Sequence, residues 1–305
     1  MGRSSPRSGA KAVCAAQSAQ LLTLPAAIRQ WQRNDRYHSE LNLVPVKPCR
    51  GISLEVGEAR TTGFAGDRHW TIINENGRYL SQRELPRMAL ISPALAAGGL
   101  ILNAPGMPQL DPVADPNGAP IEVTMKMERC MALDCGEAAA QWLTQFLGRP
   151  VRLARFNPDT TRAINPSLWK GEIDSEIEFA DAFPFLILSE ASLDDLNTKL
   201  ATPLPMNRFR PNLFLRELQP YDEDRIHSLV AGGVRLQMVR RCTRCIITTT
   251  NQATGEAQGP EPLLTLKTYR WSQEMRGVMF GHYAVVAAGM GGRLMAGQQL
   301  EIAWK

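Results

Sequence analysis

The 305-residue chain has no uninterrupted apolar run of about 20 residues, the length a helix needs to cross a bilayer, so a transmembrane helix is not expected. Its four histidines, His38, His69, His227 and His282, show no metal-site spacing. It has no Walker loop, and Gly289-Met290-Gly291-Gly292 lacks the strand-to-helix context of a dinucleotide fingerprint. Six cysteines in a chain of this size do not make a disulfide framework, which points to a reducing compartment such as the cytoplasm. Acids are missing from the first 34 residues, which carry Arg3, Arg7, Lys11, Arg29 and Arg33. That composition also occurs in organellar transit peptides. The stretch Val13 to Leu24 is interrupted by Gln17, Ser18 and Gln20, so residues 1–38 read better as a flexible extension. The net charge of +4 is mild and draws on this tail, which argues against a nucleic-acid polymer as partner and leaves small anions.

What the chain does have is Arg240-Arg241-Cys242-Thr243-Arg244-Cys245, running into Ile246-Ile247-Thr248-Thr249-Thr250. Cations favour the thiolate form of a neighbouring cysteine, which is the reactive and metal-binding form. A zinc site would want a second cysteine pair, and Cys14, Cys49, Cys130 and Cys135 do not form one. A thioredoxin-like motif should open a helix, whereas the β-branched residues after Cys245 favour a strand. Two further readings remain: a pair of buried structural cysteines, and a single soft ligand to a redox metal cofactor.

Strand signals dominate elsewhere. Leu41 to Val46 reads as a strand with Pro45 at an edge or bulge. Glu75-Asn76-Gly77 between apolar runs marks a hairpin. Ile121–Met127, Val151–Phe156, Asn212–Leu215, Val234–Val239, Cys245–Thr250 and Tyr283–Ala287 are further strand candidates, and 103–120 reads as a loop. Asp134 and Glu137 resemble a capping box for a helix over Ala138–Leu147, and Leu193, Leu196 and Leu200 share a face of a second helix over Glu190–Leu200. Short strands with few helices suggest β-barrels rather than a doubly wound sheet.

Several cations sit where an anion would bind. Lys47 ends a strand beside Gly51, Arg68 follows Asp67, and Arg208-Phe209-Arg210-Pro211-Asn212 offers two guanidiniums and an amide. Lysine serves phosphate as a point charge and arginine as a bidentate donor. Solvated lysine, a surface Asp–Arg pair and a strand-edge charge cluster are the competing readings.

In order along the chain, Pro45-Val46-Lys47, Gly66-Asp67-Arg68, Asp134 to Trp142, Pro184 to Ser192, Phe209-Arg210-Pro211-Asn212, Cys242-Thr243-Arg244-Cys245 and Glu261-Pro262-Leu263 resemble the MOSC-domain molybdenum proteins. The resemblance covers about Leu41 to Ile302 and is strongest to the amidoxime-reducing components and to the bacterial YcbX type. It implies a β-rich α+β fold: an N-terminal β-barrel-like domain over 39–157 and a MOSC β-barrel over 158–305, with a few helices and a pyranopterin molybdenum cofactor between them. It implies Cys245 as the metal ligand, Lys47 and Arg68 as phosphate contacts, and Arg210 and Asn212 as pterin and phosphate contacts. Asp181 falls near the metal, as an acid that relays a proton or orients ligands, and Arg244 is placed to stabilise the Cys245 thiolate. Pro48 stands where a serine is usual, and Ala182 and Phe183 replace small polar residues. The ferredoxin domain of the YcbX type has no counterpart before Lys305, so the chain is expected to carry no iron–sulfur cluster.

The implied activity is reduction of small N-hydroxylated compounds: amidoximes, hydroxylamines and N-hydroxylated bases. Electrons would come from a separate protein, whether a ferredoxin, a flavoprotein reductase or a cytochrome b5-like carrier. One rival is a molybdenum-cofactor carrier or sulfur-handling module without turnover, although the chain shows no pyridoxal-phosphate domain to generate sulfur. The other is a zinc protein built on the Cys-x-x-Cys.

Overall fold

The computed structural model describes residues 39–97, 99–113, 118–126 and 128–305. The extension over 1–38 lies outside the described residues. The strands that position the site are β1 (Ser39–Leu43), β2 (Val46–Lys47), β3 (Ile52–Leu54), β4 (Trp70–Ile73), β5 (Pro120–Met125), β6 (Glu128–Asp134) and β7 (Arg152–Phe156). They continue with β8 (Phe185–Ser189), β9 (Leu213–Leu215), β10 (Ile226–Ala231), β11 (Val234–Thr243), β12 (Trp271–Ser272), β13 (Gly277–Ala288) and β14 (Glu301–Trp304). Three α-helices accompany them among the described residues: α1 (Glu137–Leu147), α2 (Glu190–Asn197) and α3 (Leu263–Tyr269). None is long and apolar enough to cross a membrane.

The large sheet runs β14-β10-β11-β13-β8-β9-β1-β3, with β12 paired to β13. A second sheet runs β5-β6-β7-β4-β2. The β-rich α+β class holds. The hydrogen-bonded order of each sheet is an open path and does not close into a barrel. The strand β8 explains its central place: Phe185-Leu186-Ile187-Leu188-Ser189 is buried throughout, the pattern of a strand covered on both faces. Its core joins Leu43, Ile187, Leu213, Leu236 and Ile302. A second core packs Trp142, Leu143 and Phe146 of α1 on Ile72 and Leu153. Full burial of such side chains stabilises by roughly 1.5–3 kcal/mol each.

Leu41 to Val46 is not one strand. The chain leaves the large sheet after Leu43 and enters the second sheet at Val46, with Pro45 at the crossing. Val44 O accepts from Arg68 N at 2.7 Å, and Pro45 O accepts from Trp70 N at 3.1 Å. The proline without an N–H thus falls where pairing changes sheet. The first two strands of one sheet are therefore drawn from the N-terminal third of the chain, while its centre lies after Phe185.

Four local expectations need correction. The segment after Cys245 is a 3-10 turn over Ile246–Thr249, and the strand ends at Thr243. Thr248 Oγ1 donates to Cys245 O at 2.9 Å and Thr249 Oγ1 to Ile246 O at 2.8 Å. Local hydroxyl bonds to the backbone outweigh the β-branched preference here. The interval 103–120 contains the strand Leu110–Val113, which pairs with Gly99–Asn103. The capping box does not form: Asp134 Oδ1 accepts from Gly136 N at 2.6 Å, and Asp134 and Glu137 both engage Arg152, at 2.5 and 2.7 Å. Gly136, with φ 87°, is the residue that caps α1. The second helix stops at Asn197, and its cap is Ser189, whose Oγ accepts from Ser192 N at 3.2 Å.

Candidate cofactor site

A cavity of about 480 Å³ opens where the two sheets meet, within the range of small-molecule sites. Lys47, Arg68, Asp181, Arg210, Asn212, Arg244 and Cys245 all line it. Residues more than 130 positions apart are thereby brought to one place. The lining holds nine cations, Lys47, Arg68, Arg83, Lys126, Arg208, Arg210, Arg240, Arg241 and Arg244, against one carboxylate, Asp181. So lopsided a set in a partly desolvated space attracts anions strongly.

The phosphate-type groups are rigidly held. Asp67 is buried and accepts from Val44 N at 2.8 Å and from Asn212 Nδ2 at 3.0 Å, and it pairs closely with Arg68. Arg68 Nη1 donates to Asn212 Oδ1 at 3.0 Å, and Asn212 Oδ1 also accepts from Leu186 N at 3.1 Å. The Asp67–Arg68 pair is thus a buried brace and not a surface ion pair. Arg68 (φ 50°) and Arg210 (φ 59°) both occupy the left-handed region, a cost of roughly 1–2 kcal/mol each that the surrounding bonds sustain. Arg210 Nη1 donates to Cys49 O at 2.6 Å. Burial, with Arg68 alongside, pushes the Arg210 guanidinium down to about 10.

Lys47 is 7 % exposed and donates to Phe179 O at 2.9 Å and Asp181 Oδ1 at 2.8 Å. Burial outweighs the attraction of Asp181 and pushes its ammonium down to about 8. Asp181 is half exposed, and Lys126 lies 3.3 Å away. Burial acts to raise its carboxyl, but the charges of Lys47 and Lys126 prevail and hold it well below the usual carboxylate range. Asp181 is therefore ionised at neutral pH and has no proton of its own to give.

The two cysteines of the motif differ. Cys242 follows a register shift in the β11–β13 pairing, and its side chain is 2 % exposed. Such shifts re-aim side chains near sites. Arg244 Nη1 contacts Cys242 Sγ at 3.1 Å, and Arg244 Nη2 donates to Phe209 O at 2.7 Å. The terminal nitrogens of Arg244 thus engage Cys242 and Phe209, not Cys245. Cys245 is more open, lies two residues past the end of the strand and caps the 3-10 turn. Its cationic neighbour is Arg83, whose guanidinium lines the same cavity and interacts with the Cys245 thiol. Cys49 is buried behind this wall, and burial pushes its thiol up to about 12, so it stays protonated.

Arg83 and Lys126 are lining cations that sequence reasoning missed. Arg83 sits one residue past Gln82, in the turn after the hairpin, and its position is fixed by partners in a distant segment. Gln82 Nε2 donates to Pro48 O at 2.6 Å, and Gln252 Nε2 donates to Gln82 Oε1 at 2.8 Å. Nothing local in the sequence signals this. Arg208 was legible only as a neighbour of Arg210. Here it is 3 % exposed and donates to Thr249 O at 3.0 Å.

A phosphate-bearing pterin dithiolene of molybdenum fits these donors. It is polyanionic, it needs a soft protein ligand, and it offers acceptors to guanidiniums. Arg208 Nε and Arg244 Nε are buried donors without a protein partner, and both residues face the cavity. Cys245 supplies the thiol. Among the described residues no three His, Cys, Asp or Glu side chains group closely enough to hold a metal ion by themselves.

Fold and cavity define a strand-rich protein that presents one accessible thiol beside a strongly cationic, ligand-sized pocket. Residues 37–150 match the family model of the MOSC N-terminal beta barrel domain, and residues 174–301 match that of the MOSC domain. The chain belongs to the MOSC-domain family. It is 36 % identical over 250 residues to the mitochondrial amidoxime reducing component 2 of Bos taurus, spanning 76 % of this chain and 71 % of that protein. It is 35 % identical over 260 residues to the mitochondrial amidoxime-reducing component 1 of Homo sapiens, spanning 80 % and 74 %. A fish relative, component 1 of Danio rerio, is 32 % identical over 266 residues, spanning 83 % and 81 %.

Proposed function

We propose that this chain is a molybdenum-cofactor-dependent reductase of N-hydroxylated compounds. Family membership and the amidoxime-reducing relatives support a molybdenum-cofactor-associated role. The observation that carries the finer reading is the convergence of Cys245 with Lys47, Arg68, Arg210 and Asn212 on one cavity whose lining has nine cations and one acid. When bound, the cofactor supplies the two electrons. The net reaction takes N–OH, two electrons and two protons to N–H and water.

The protein's own part is to hold, orient and exclude. Lys47, Arg68 and Arg210 neutralise the phosphate, and Asn212 keeps Arg68 aimed. Cys245 ligates the metal, with Arg83 beside its sulfur. Arg208 and Arg244 offer their unpaired Nε–H donors to cofactor oxygens. Asp181, ionised and paired, keeps Lys47 and Lys126 in place. Lys47, with its ammonium near 8 and bonded to Asp181 at 2.8 Å, is the member of this pair able to give up and regain a proton near neutral pH. Phe183 and Tyr283, tilted by 31° with ring centres 5.0 Å apart, form an aromatic wall against which a flat N-hydroxylated substrate packs. Electrons arrive from a separate carrier protein.

The test is expression in a cofactor-competent host, metal and pterin analysis, and benzamidoxime reduction with reduced methyl viologen. Molybdenum near one per chain with turnover supports the reading. Molybdenum without turnover favours a carrier module. Zinc in place of molybdenum sinks it.

A further inference from the structure

Eight large apolar side chains are exposed among the described residues, and three of them lie on the turn after Cys245, on α3 and on β12. They are Ile246 (57 % exposed), Leu264 (55 %) and Trp271 (43 %). Ile246 directly follows Cys245. Leu264 lies on α3, which packs against both the Ile246–Thr249 turn and β12. Trp271 pairs with Val278 across β12 and β13, and Val278 O accepts from Arg244 N at 2.8 Å on its other side. Trp271 thus stands two strand spacings, roughly 10 Å, from the residue before Cys245.

Cations lie on the patch and on the cavity side of it. Lys267 Nζ lies 5.8 Å from the centre of the Trp271 ring. Lys267, Arg241, Arg276 and Arg83 are exposed. Glu256 and Glu274 are the exposed acids in the stretch 240–276, Glu84 beside Arg83 is taken up by Arg78 at 2.8 Å, and Glu261 is engaged by Thr265 through bonds of 3.1 and 3.0 Å. An apolar centre with a charged rim is the anatomy of a protein interface, and its sign selects the partner.

We propose that the Ile246–Leu264–Trp271 patch is the docking face for a small one-electron carrier protein with an acidic rim around its redox group. The proposal rests on the reductase reading, which requires electrons from outside. It places their entry on the outer side of Cys245, beside the end of β11 that leads into Arg244. An acidic carrier is steered there by the excess positive charge, and its apolar centre covers Trp271. The association is consequently sensitive to salt.

The experiment uses the full chain, loaded with cofactor, and two acidic probes: a soluble [2Fe–2S] ferredoxin and the soluble domain of a cytochrome b5. Benzamidoxime turnover is measured with each reduced probe and, separately, with reduced methyl viologen. Trp271→Ala and Lys267→Glu are exposed changes, and their melting temperatures are compared with wild type. The expected result is a loss of about tenfold or more in kcat/KM with whichever acidic carrier supports turnover, a wild-type rate that falls with added salt, and an unchanged methyl viologen rate. Binding of the oxidised carrier to the cofactor-free chain at low salt weakens in parallel. Wild-type rates with the carrier in both variants overturn the proposal. So does a wild-type chain that turns over with methyl viologen and with neither acidic carrier. Failure with methyl viologen itself removes the reductase reading, and that outcome is distinct from failure of the docking face.

Discussion

Cys242 and Cys245 are three residues apart, yet their surroundings assign them different work. Cys242 is buried and held by Arg244, and Cys245 is open to the cavity with Arg83 beside it. Cys245→Ser is therefore expected to abolish benzamidoxime reduction and molybdenum retention. Cys242→Ser should leave substantial activity and lower stability by about 1–3 kcal/mol, the cost of disturbing a buried partner. Metal content and turnover check both, and the reverse ranking defeats the ligand assignment. Lys47 supports a second prediction, on pH. Its ammonium titrates near 8, so its attraction for an anion is full below that pH and fades as pH rises through it. Arg210, at about 10, stays charged at pH 9. Stabilisation of the cofactor-free chain by inorganic sulfate, a phosphate mimic whose charge is the same at both values, read as a shift in melting temperature, should be larger at pH 7 than at pH 9. In Lys47→Met the difference between the two pH values should vanish; a persistent difference would place the titrating group elsewhere. At this scale the sequence was informative: all seven residues drawn from its motifs face one cavity. Arg83 and Lys126 were hidden, because a cation far away in sequence has no local mark.

At the scale of elements, periodicity revealed what is repetitive and missed what depends on partners. Both read helices exist, because their apolar residues recur at helical spacing over two or more turns. The segment after Cys245 misled, since two isoleucines and three threonines suit a strand until threonine hydroxyls close a turn on the backbone. The long strand β13 was read only over Tyr283–Ala287, because Gly277, Gly281 and the bulges opposite β11 break its alternation. Gly281 is a constraint in its own right. Its φ of 84° is left-handed, and a Cβ there would lie 2.9 Å from Leu188 Cγ and 3.0 Å from Ile187 O. Gly281→Ala thus combines conformational strain with overpacking against β8, and denaturant unfolding should show a loss of roughly 2–4 kcal/mol. A near-neutral result would mean that the β8–β13 contact is softer than its geometry implies.

At the scale of the molecule, the cavity exists only because distant segments are locked to one another. A fully buried lock of this kind is the amide pair Gln82–Gln252, 170 residues apart in sequence and 1 % and 4 % exposed. Gln252 Nε2 donates to Gln82 Oε1 at 2.8 Å, Gln82 Nε2 donates back at 3.2 Å and to Pro48 O at 2.6 Å, and Arg50 Nη2 donates to Gln252 O at 3.0 Å. One amide carries the turn with Arg83, and the other follows the turn after Cys245, so the pair sets how those two side chains face each other. A buried amide left without its partner costs about 1–3 kcal/mol, whereas removing both leaves less polar surface unpaired. Gln82→Leu and Gln252→Leu should therefore each destabilise by that amount, and the double variant by clearly less than their sum. A coupling of about 0.5–3 kcal/mol in a double-mutant cycle is the expected measure. Simple additivity would show that the amides sit side by side without depending on one another. The same variants should also lower molybdenum retention, because Arg83 loses its fixed bearing on Cys245. Full retention alongside strong coupling would confine the pair to stability and leave the orientation of Arg83 to the turn formed by Ser81 and Glu84, where Ser81 N donates to Glu84 Oε2 at 3.0 Å.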